Sequence, residues 1–169
     1  MSEVLQTSVI ISIANRHDLP AITDIYNHAI IHTNATFDTH KKSIDEMIDW
    51  FESHSETCPV LVAKSRDTIA GWASLSPWSD RCAYSRTMEN SVYVNHLFRK
   101  QGIGKLLLDE LIRIAKINDY HSIIARVSVG NPGSMKLHSN AGFETIGVMN
   151  EVGYKFNQFH NVAILQLML

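Results

Sequence analysis

Cysteine is scarce in the 169 residues: there are two, Cys58 and Cys82, and they follow no metal-ligand spacing. A cysteine-based metal cluster is therefore not expected. An excess of charge of one sign is missing too. Fifteen Lys and Arg stand against 17 Asp and Glu, a formal net charge of −2. That balance gives no bulk attraction to nucleic acid or an anionic membrane, so any anion site has to be local. No apolar run approaches the length of a membrane span. The opening "MSEVLQTSVI" lacks a basic region followed by a long apolar core, so no signal peptide is expected. A reducing, cytoplasmic setting is the default. Internal repeats and low-complexity linkers are absent as well.

What is present is ordinary globular composition, 45% hydrophobic and 19% charged. The length suits one domain over 1–169 with a sizeable core. "VIISIA", Val9 to Ala14, reads as a strand. Asp18 is placed to cap a helix through about Ile31, with Pro20 tolerated in its first turn. Ser43 and Glu46 form a capping-box pattern at the head of a second helix running to about Ser53. "PVLVAK" and "IAGWASLS" read as strands joined by the turn "RDT". After a polar loop from Pro77 to Arg86 comes the strand "MENSVYV" and then a helix to about Ile117. "SIIARVSV" is another strand. A short helix starts near Asn131 and ends at Gly142, a plausible C-cap glycine. Two last strands are expected around Phe143–Met149 and Phe159–Leu167. Hairpins mixed with helical crossovers predict an α/β or α+β domain around a mixed sheet.

The stretch "FRKQGIGKLLLDEL", Phe98 to Leu111, is the first sign of chemistry. Ile103, Leu107, Leu111 and Ile114 share a helical face, with Leu108, Ile112 and Ala115 beside it. Asp109 and Arg113 are spaced to pair on the outer side. A buried helix thus begins at two glycines, where its first N–H groups have no partner inside the helix. Glycine permits close backbone approach and unusual dihedrals, and free N–H groups with the helix dipole suit a phosphate. Arg99, Lys100 and Lys105 add charge. A Walker loop does not fit, because Arg99 and Leu106 occupy the positions of its first glycine and its hydroxyl. The dinucleotide fingerprint does not fit either, because Leu107 stands at its third glycine. A lone Gly-x-Gly more often merely turns a strand into a helix.

The neighbourhood changes that balance. The strand "NSVYVNHLF", Arg99-x-x-Gly102-x-Gly104 and a long apolar helix together resemble motif A of the GNAT superfamily of N-acetyltransferases. "GNPGSMKLHSNAGFE", Gly130 to Glu144, looks like its motif B. The resemblance runs from "IANRHDLPAITDIYNHAI" onward, almost the whole chain. It is nearest to the phosphinothricin and methionine sulfoximine N-acetyltransferases, through "IYNHAI", "TFDT", "SPWSDRCAYSRTMENSVYV" and "VGYKF". The resemblance implies a central mixed, mostly antiparallel sheet flanked by about four helices, acetyl-CoA as co-substrate, and a homodimer. The histidines, among them His17, His28, His32, His40 and His54, show no metal-ligand spacing, so no metal is expected.

Site residues follow from it one by one. Glu89 lies in a predicted strand, where glutamate is disfavoured, and matches the family's proposed general base. An α-ammonium must lose a proton before attacking a thioester, and a buried carboxylate of raised pKa suits that task. Amine and thioester held together need no acyl-enzyme, which leaves Cys58 and Cys82 as bystanders. Val92, Tyr93 and Val94 match the strand backbone that holds the pantetheine arm. The amides of Lys100, Gln101, Gly102, Ile103, Gly104 and Lys105 are expected to face the pyrophosphate. Asn131 matches a cofactor-contacting asparagine and is equally a helix N-cap. His138 stands where many members place a tyrosine, and it either protonates the leaving thiolate or lines the substrate pocket. Arg81 and Tyr84, the latter five residues before Glu89, match residues that grip the anionic end of the substrate. Phe37 matches an aromatic that closes the pocket, in related enzymes from the neighbouring subunit. Ser79 and Asn90 depart from the relatives' pattern at positions able to shift substrate preference.

The expected function is acetylation of the α-amine of a small anionic amino-acid analogue. Acetylation of a protein N-terminus or lysine is a second enzyme reading, and a non-catalytic acyl-CoA-binding domain is a third. The Pro77–Glu89 stretch is not acidic enough for an aminoglycoside. Neither a nucleic-acid nor a membrane partner is expected.

Overall fold

Burial at almost every position of "IAGWASLS" requires cover on both faces of the strand, and helices supply it. The computed structural model describes residues 8–169. In chain order the elements are β1 (Val9–Ile13), α1 (Leu19–His32), α2 (Ile44–Glu52), β2 (Val60–Ser65), β3 (Thr68–Pro77), β4 (Thr87–Val94), α3 (Ile103–Ile117), β5 (Ser122–Ser128), α4 (Pro132–Asn140), β6 (Glu144–Lys155) and β7 (Gln158–Met168). Short 3-10 turns lie at Arg16–Asp18, Cys82–Tyr84 and His96–Phe98. The strands form one sheet in the order β1-β2-β3-β4-β5-β7-β6. All neighbours are antiparallel except β4 and β5, which are parallel because α3 carries the chain back between them. The expected mixed, mostly antiparallel sheet is therefore what forms.

Two cores result. On one face Leu61, Leu75, Met88, Ile123 and Leu165 pack with Ile103, Leu107, Leu108 and Leu111 of α3. The other face joins Val60, Val62 and Trp72 to Leu19, Ile22 and Ile25 of α1 and Met47 of α2. Along β4 the pleat divides the side chains between them. Met88, Val92 and Val94 meet the α3 core, whereas Tyr93 meets the α1 side.

Several local expectations change in detail. Asp18 does not cap α1 through its side chain. It closes a capping box with Asn15 instead, accepting from the Asn15 N–H at 3.0 Å. The Ser43–Glu46 box forms as read. Asp109 pairs with Lys105 rather than Arg113, and Arg113 grips Glu110. β6 runs to Lys155, beyond the expected Met149, and turns into β7 through Phe156 and Asn157, both left-handed at φ 53° and 58°. Lys155 is itself buried, and its Nζ donates to the carbonyls of Thr33 and Thr36 at 2.9 and 2.7 Å. The hairpin thereby holds the loop that follows α1. Burial lowers the Lys155 pKa, and nearby Asp38 opposes that shift.

Gly71 sets how close α3 sits to the sheet. A Cβ there would lie 2.9 Å from the Tyr93 carbonyl oxygen, 3.1 Å from Ile103 and 3.2 Å from Leu107. Alanine normally gains about 0.5–1 kcal/mol over glycine within a strand. Here the backbone contact outweighs that gain. Gly71→Ala is expected to lose about 1–3 kcal/mol of stability, read as a lower urea midpoint at unchanged slope. A midpoint equal to wild type would show that α3 has room to move.

Candidate active site

β4 and β5 remain paired for three register positions, Thr87–Ser122, Met88–Ile123 and Glu89–Ile124, and then part. β5 continues along β7 as far as Ser128–Val162, while β4 continues along β3 as far as Val94–Gly71. A cleft thus opens between β4 and β5 just beyond Glu89. Val92, Tyr93 and Val94 line the stretch of β4 that is splayed from β5.

Glu89 borders that cleft. Its carboxylate accepts two hydrogen bonds from Arg126 of β5, at 2.5 and 3.0 Å. The sequence predicts a buried carboxylate here; Glu89 is instead half-buried and held in a bidentate ion pair. Trp78 lies beneath the Arg126 guanidinium, 6.0 Å from ring centroid to Cζ. Ser76 is the direct cross-strand neighbour of Glu89, and its Oγ lies 3.4 Å from His54 Nε2. His54 Nδ1 donates to the Trp50 carbonyl at 2.8 Å, and burial lowers the His54 pKa. Sequence reasoning missed Arg126 and His54. Arg126 left a signal as the charged residue inside the apolar strand "SIIARVS", where it alone is exposed.

The glycine stretch forms an open helix start. Lys100 and Gly102 are left-handed, at φ 61° and 81°. Gly102 is the N-cap of α3, with neither a side-chain cap nor an acidic residue in the first turn. By contrast α2 has a serine cap and Asp45 and Glu46 in its first turn. The first turn of α3 is therefore left for an anion. Gly104 has a different role: a Cβ there would sit 3.3 Å from Leu137, so its absence lets α4 approach. Lys105 pairs with Asp109, leaving Arg99 and Lys100 as the cations beside this turn outside any ion pair among the described residues.

α4 closes the site from the α3 side. The Asn131 side chain caps it, accepting from the Ser134 N–H at 3.1 Å. His138 is 4% exposed, with Phe143 edge-on at 5.0 Å. The carbonyl oxygen of Ser134 lies 2.9 Å from His138 Nδ1, which fixes the proton of the neutral ring on Nδ1. Nε2 then accepts from Asn90 Nδ2 at 2.9 Å. Burial lowers the His138 pKa, and the Ser134 hydrogen bond opposes it.

The remaining predicted residues are more scattered. Val92 and Val94 are half-buried against the α3 core. Tyr93 stacks on Trp72 at 4.7 Å and contacts Tyr26 edge-on at 5.1 Å. Burial raises the Tyr93 pKa and pushes that of Tyr26 up to about 12, so both phenols stay protonated donors. Tyr26 donates to Asp38 at 2.8 Å and Tyr93 to the Ala35 carbonyl at 3.4 Å, fastening the same loop that Lys155 holds. Phe37, on that loop, packs on Gly153 and lies 5.8 Å from the His160 ring, within its own chain. Arg81 and Tyr84 sit exposed on the turn between β3 and β4. Arg81 enters no ion pair among the described residues. A cavity of about 660 Å³ lies elsewhere, between α1 and the β2–β3 turn, walled by Asp24, His28, Lys64 and His96 and not by Glu89.

The comparisons with known proteins agree with this geometry. The acetyltransferase (GNAT) domain family matches residues 11–163. The L-methionine sulfoximine/L-methionine sulfone acetyltransferase of Salmonella typhimurium is 34% identical over 160 residues, 94% of each chain. The phosphinothricin N-acetyltransferase of Streptomyces viridochromogenes is 33% identical over 153 residues, 90% of this chain and 84% of that one. A GNAT superfamily phosphinothricin acetyltransferase from Sinorhizobium meliloti, solved in complex with acetyl-CoA, superposes with a TM-score of 0.92 at 31% identity, covering 95% of this chain and 88% of the other. Family match, sequence relatives and superposition all cover the strand, cleft and helix start described above, and the chain belongs to the GNAT acetyltransferase family.

Proposed function

We propose that this enzyme transfers the acetyl group of acetyl-CoA to the α-amine of a small anionic amino-acid analogue of the phosphinothricin, methionine sulfoximine or methionine sulfone type. The observation that carries the reading is the position of Glu89, a carboxylate at the mouth of the cleft where β4 leaves β5. The chain's residues fit acetyl-CoA. The first turn of α3 is uncapped and free of acid, and the cleft edge holds a buried acceptor without a partner, Asn90 Oδ1. Gly102, Ile103, Gly104 and Lys105 would present N–H groups to its pyrophosphate. When bound, acetyl-CoA supplies an activated carbonyl.

Glu89 takes the proton from the substrate ammonium, directly or through water, so that the amine lone pair is free to attack. Arg126 holds Glu89 in place beforehand. An anionic substrate offers Arg126 a second partner, and the shift of that guanidinium frees a carboxylate oxygen for the ammonium. Arg81 and Tyr84, on the exposed turn beside β4, grip the same anionic end. The one proton of the neutral His138 ring is committed to the Ser134 carbonyl, so we assign His138 a positioning role beside the cleft rather than protonation of the thiolate.

The homodimer is part of the reading. β6 is the sheet edge, and Ile146, Val148, Val152, Tyr154, Phe156 and Phe159 are exposed along the β6–β7 hairpin. Such an apolar surface suits a partner subunit. Two free cysteines, one of them exposed, suit a reducing cytoplasm.

Thiol release from acetyl-CoA tests the activity, with phosphinothricin, methionine sulfoximine, methionine sulfone and a peptide amine as acceptors. Turnover is expected on one of the three small analogues. Glu89→Gln should lower kcat by ~10²–10⁴ while leaving acetyl-CoA binding intact. Turnover on the peptide alone would overturn the substrate assignment. For the dimer, Val152→Asp is expected to convert a two-subunit species to monomer in sedimentation velocity, and a wild-type monomer would remove that part of the reading.

Stability should also depend on pH. The His138 pKa is lowered below its ordinary 6.5, so the unfolded chain binds this proton more readily than the folded chain. The folded state is fully favoured above that value and loses stability as pH falls through the window beneath it. His54 adds to the same trend. The loss between about pH 7.5 and about pH 5.5, read from urea midpoints, is expected to be smaller in His138→Gln than in wild type. Equal losses would show that His138 does not take part.

A further inference from the structure

Among the described residues, three buried side-chain polar atoms lack a hydrogen-bond partner: Trp72 Nε1, Asn90 Oδ1 and Ser128 Oγ. Trp72 lies inside the aromatic cluster with Tyr26, Trp50 and Tyr93, away from the cleft side of β4. A serine hydroxyl is free to rotate toward whatever is near. Asn90 differs from both, because its other end is committed. Its Nδ2 donates to His138 Nε2, and the His138 ring cannot turn without breaking the 2.9 Å bond from Nδ1 to the Ser134 carbonyl. The reverse amide orientation would set Oδ1 against the ring lone pair. The chain therefore fixes an acceptor with nothing to accept.

Its place in the fold says what is missing. Asn90 follows Glu89, the last residue of β4 paired with β5. It is 7% exposed and lies on the α3–α4 side of the strand, as its contact with His138 shows. It thus stands at the opening of the cleft, on the opposite face from Glu89. An acceptor there calls for an N–H donor from whatever enters. Resting on acetyl-CoA as the co-substrate, we propose that Asn90 binds the thioester-bearing arm of acyl-CoA, its Oδ1 accepting a hydrogen bond from an amide N–H of that arm. His138 is the positioning residue that aims Asn90.

Calorimetric binding without turnover tests this, using acetyl-CoA, free CoA, and 3′-phospho-ADP as the half of the molecule that lacks the arm. Asn90→Leu is expected to bind acetyl-CoA and CoA roughly five- to tenfold more weakly than wild type, with 3′-phospho-ADP unchanged. His138→Leu should weaken the same two ligands, and His138→Gln should restore them, because its amide can still meet Asn90. Asn90→Ala is read in the same way if the leucine variant does not fold. Undiminished acetyl-CoA affinity in the Asn90 variants would overturn the proposal and assign a water to Oδ1. Weakening for CoA alone would make the thiol the donor and overturn the amide assignment. Equal weakening for all three ligands would mean a collapsed cleft, and would overturn it as well. A wild-type chain that binds none of the three removes the proposed function itself, a failure distinct from these.

Discussion

β4 and β5 share three register pairs and then separate, although each goes on to complete its ladder with the strand on its other side. Buried backbone groups demand partners, so a cleft of this kind persists only if something else meets them. The separation is held from outside. α3 is anchored by five buried residues on one side of the sheet, and α4 packs close to α3 where Gly104 faces Leu137. Neither helix can move into the gap without giving up that packing. The positions of Glu89, Asn90, His138 and the open first turn of α3 all follow from this one divergence.

Electrostatics in this chain is local, as a net charge of −2 requires. The pair between Glu89 and Arg126 is bidentate, yet Arg126 is 55% exposed. Exposed pairs contribute only ~0–1 kcal/mol to stability. The core supplies much more: α3 alone buries Ile103, Leu107, Leu108 and Leu111 almost completely. The Glu89–Arg126 pair is thus easily exchanged for another partner at little cost to the fold, which suits the proposed reaction, where an anion enters and the carboxylate is released. Lys155 is the opposite case. It is buried, without a carboxylate in contact, and satisfied by two carbonyls, so its work is to hold the loop bearing Phe37 and Asp38 against the hairpin.

Periodic signals were legible in the sequence, and contacts between distant segments were not. The α3 face from Ile103 to Ala115, the Ser43–Glu46 box and the strand carrying Glu89 depend on neighbours within a few residues. Motif spacing also placed Gly102 at the helix start. Arg126 meets Glu89 across 37 residues and His138 meets Asn90 across 48, and no local pattern encodes either meeting. The pairing of Asp109 was misread for a related reason. Lys105 and Arg113 both lie four residues away, and helical spacing does not choose between them. β6 outran its expected end because "NEVGYK" carries a bulge at Glu151 and glycine at 153, which read as loop but are tolerated once β7 supplies the ladder.

The pleat of β4 separates two tasks that a single strand would otherwise confuse. Glu89 and Tyr93 project to the side of α1 and α2, where the loop carrying Phe37 is fastened. Asn90, Val92 and Val94 project to the side of α3 and α4. Residues on the first face and on the turn before it meet the amine-bearing substrate in the proposed reaction. Those on the second face meet the acetyl donor. Adjacent residues thus serve different ligands, and a change on one face leaves the other's contacts in place. In the proposed reaction, substrate preference is then free to vary through Arg81, Tyr84 and the loop near Phe37 without disturbing the donor side. The reverse does not hold for register. A shift of β4 by one residue would exchange the faces, placing Glu89 in the α3 core and Asn90 beside Arg126. The seven register pairs with β3, from Gly71–Val94 to Pro77–Met88, are what forbid that shift.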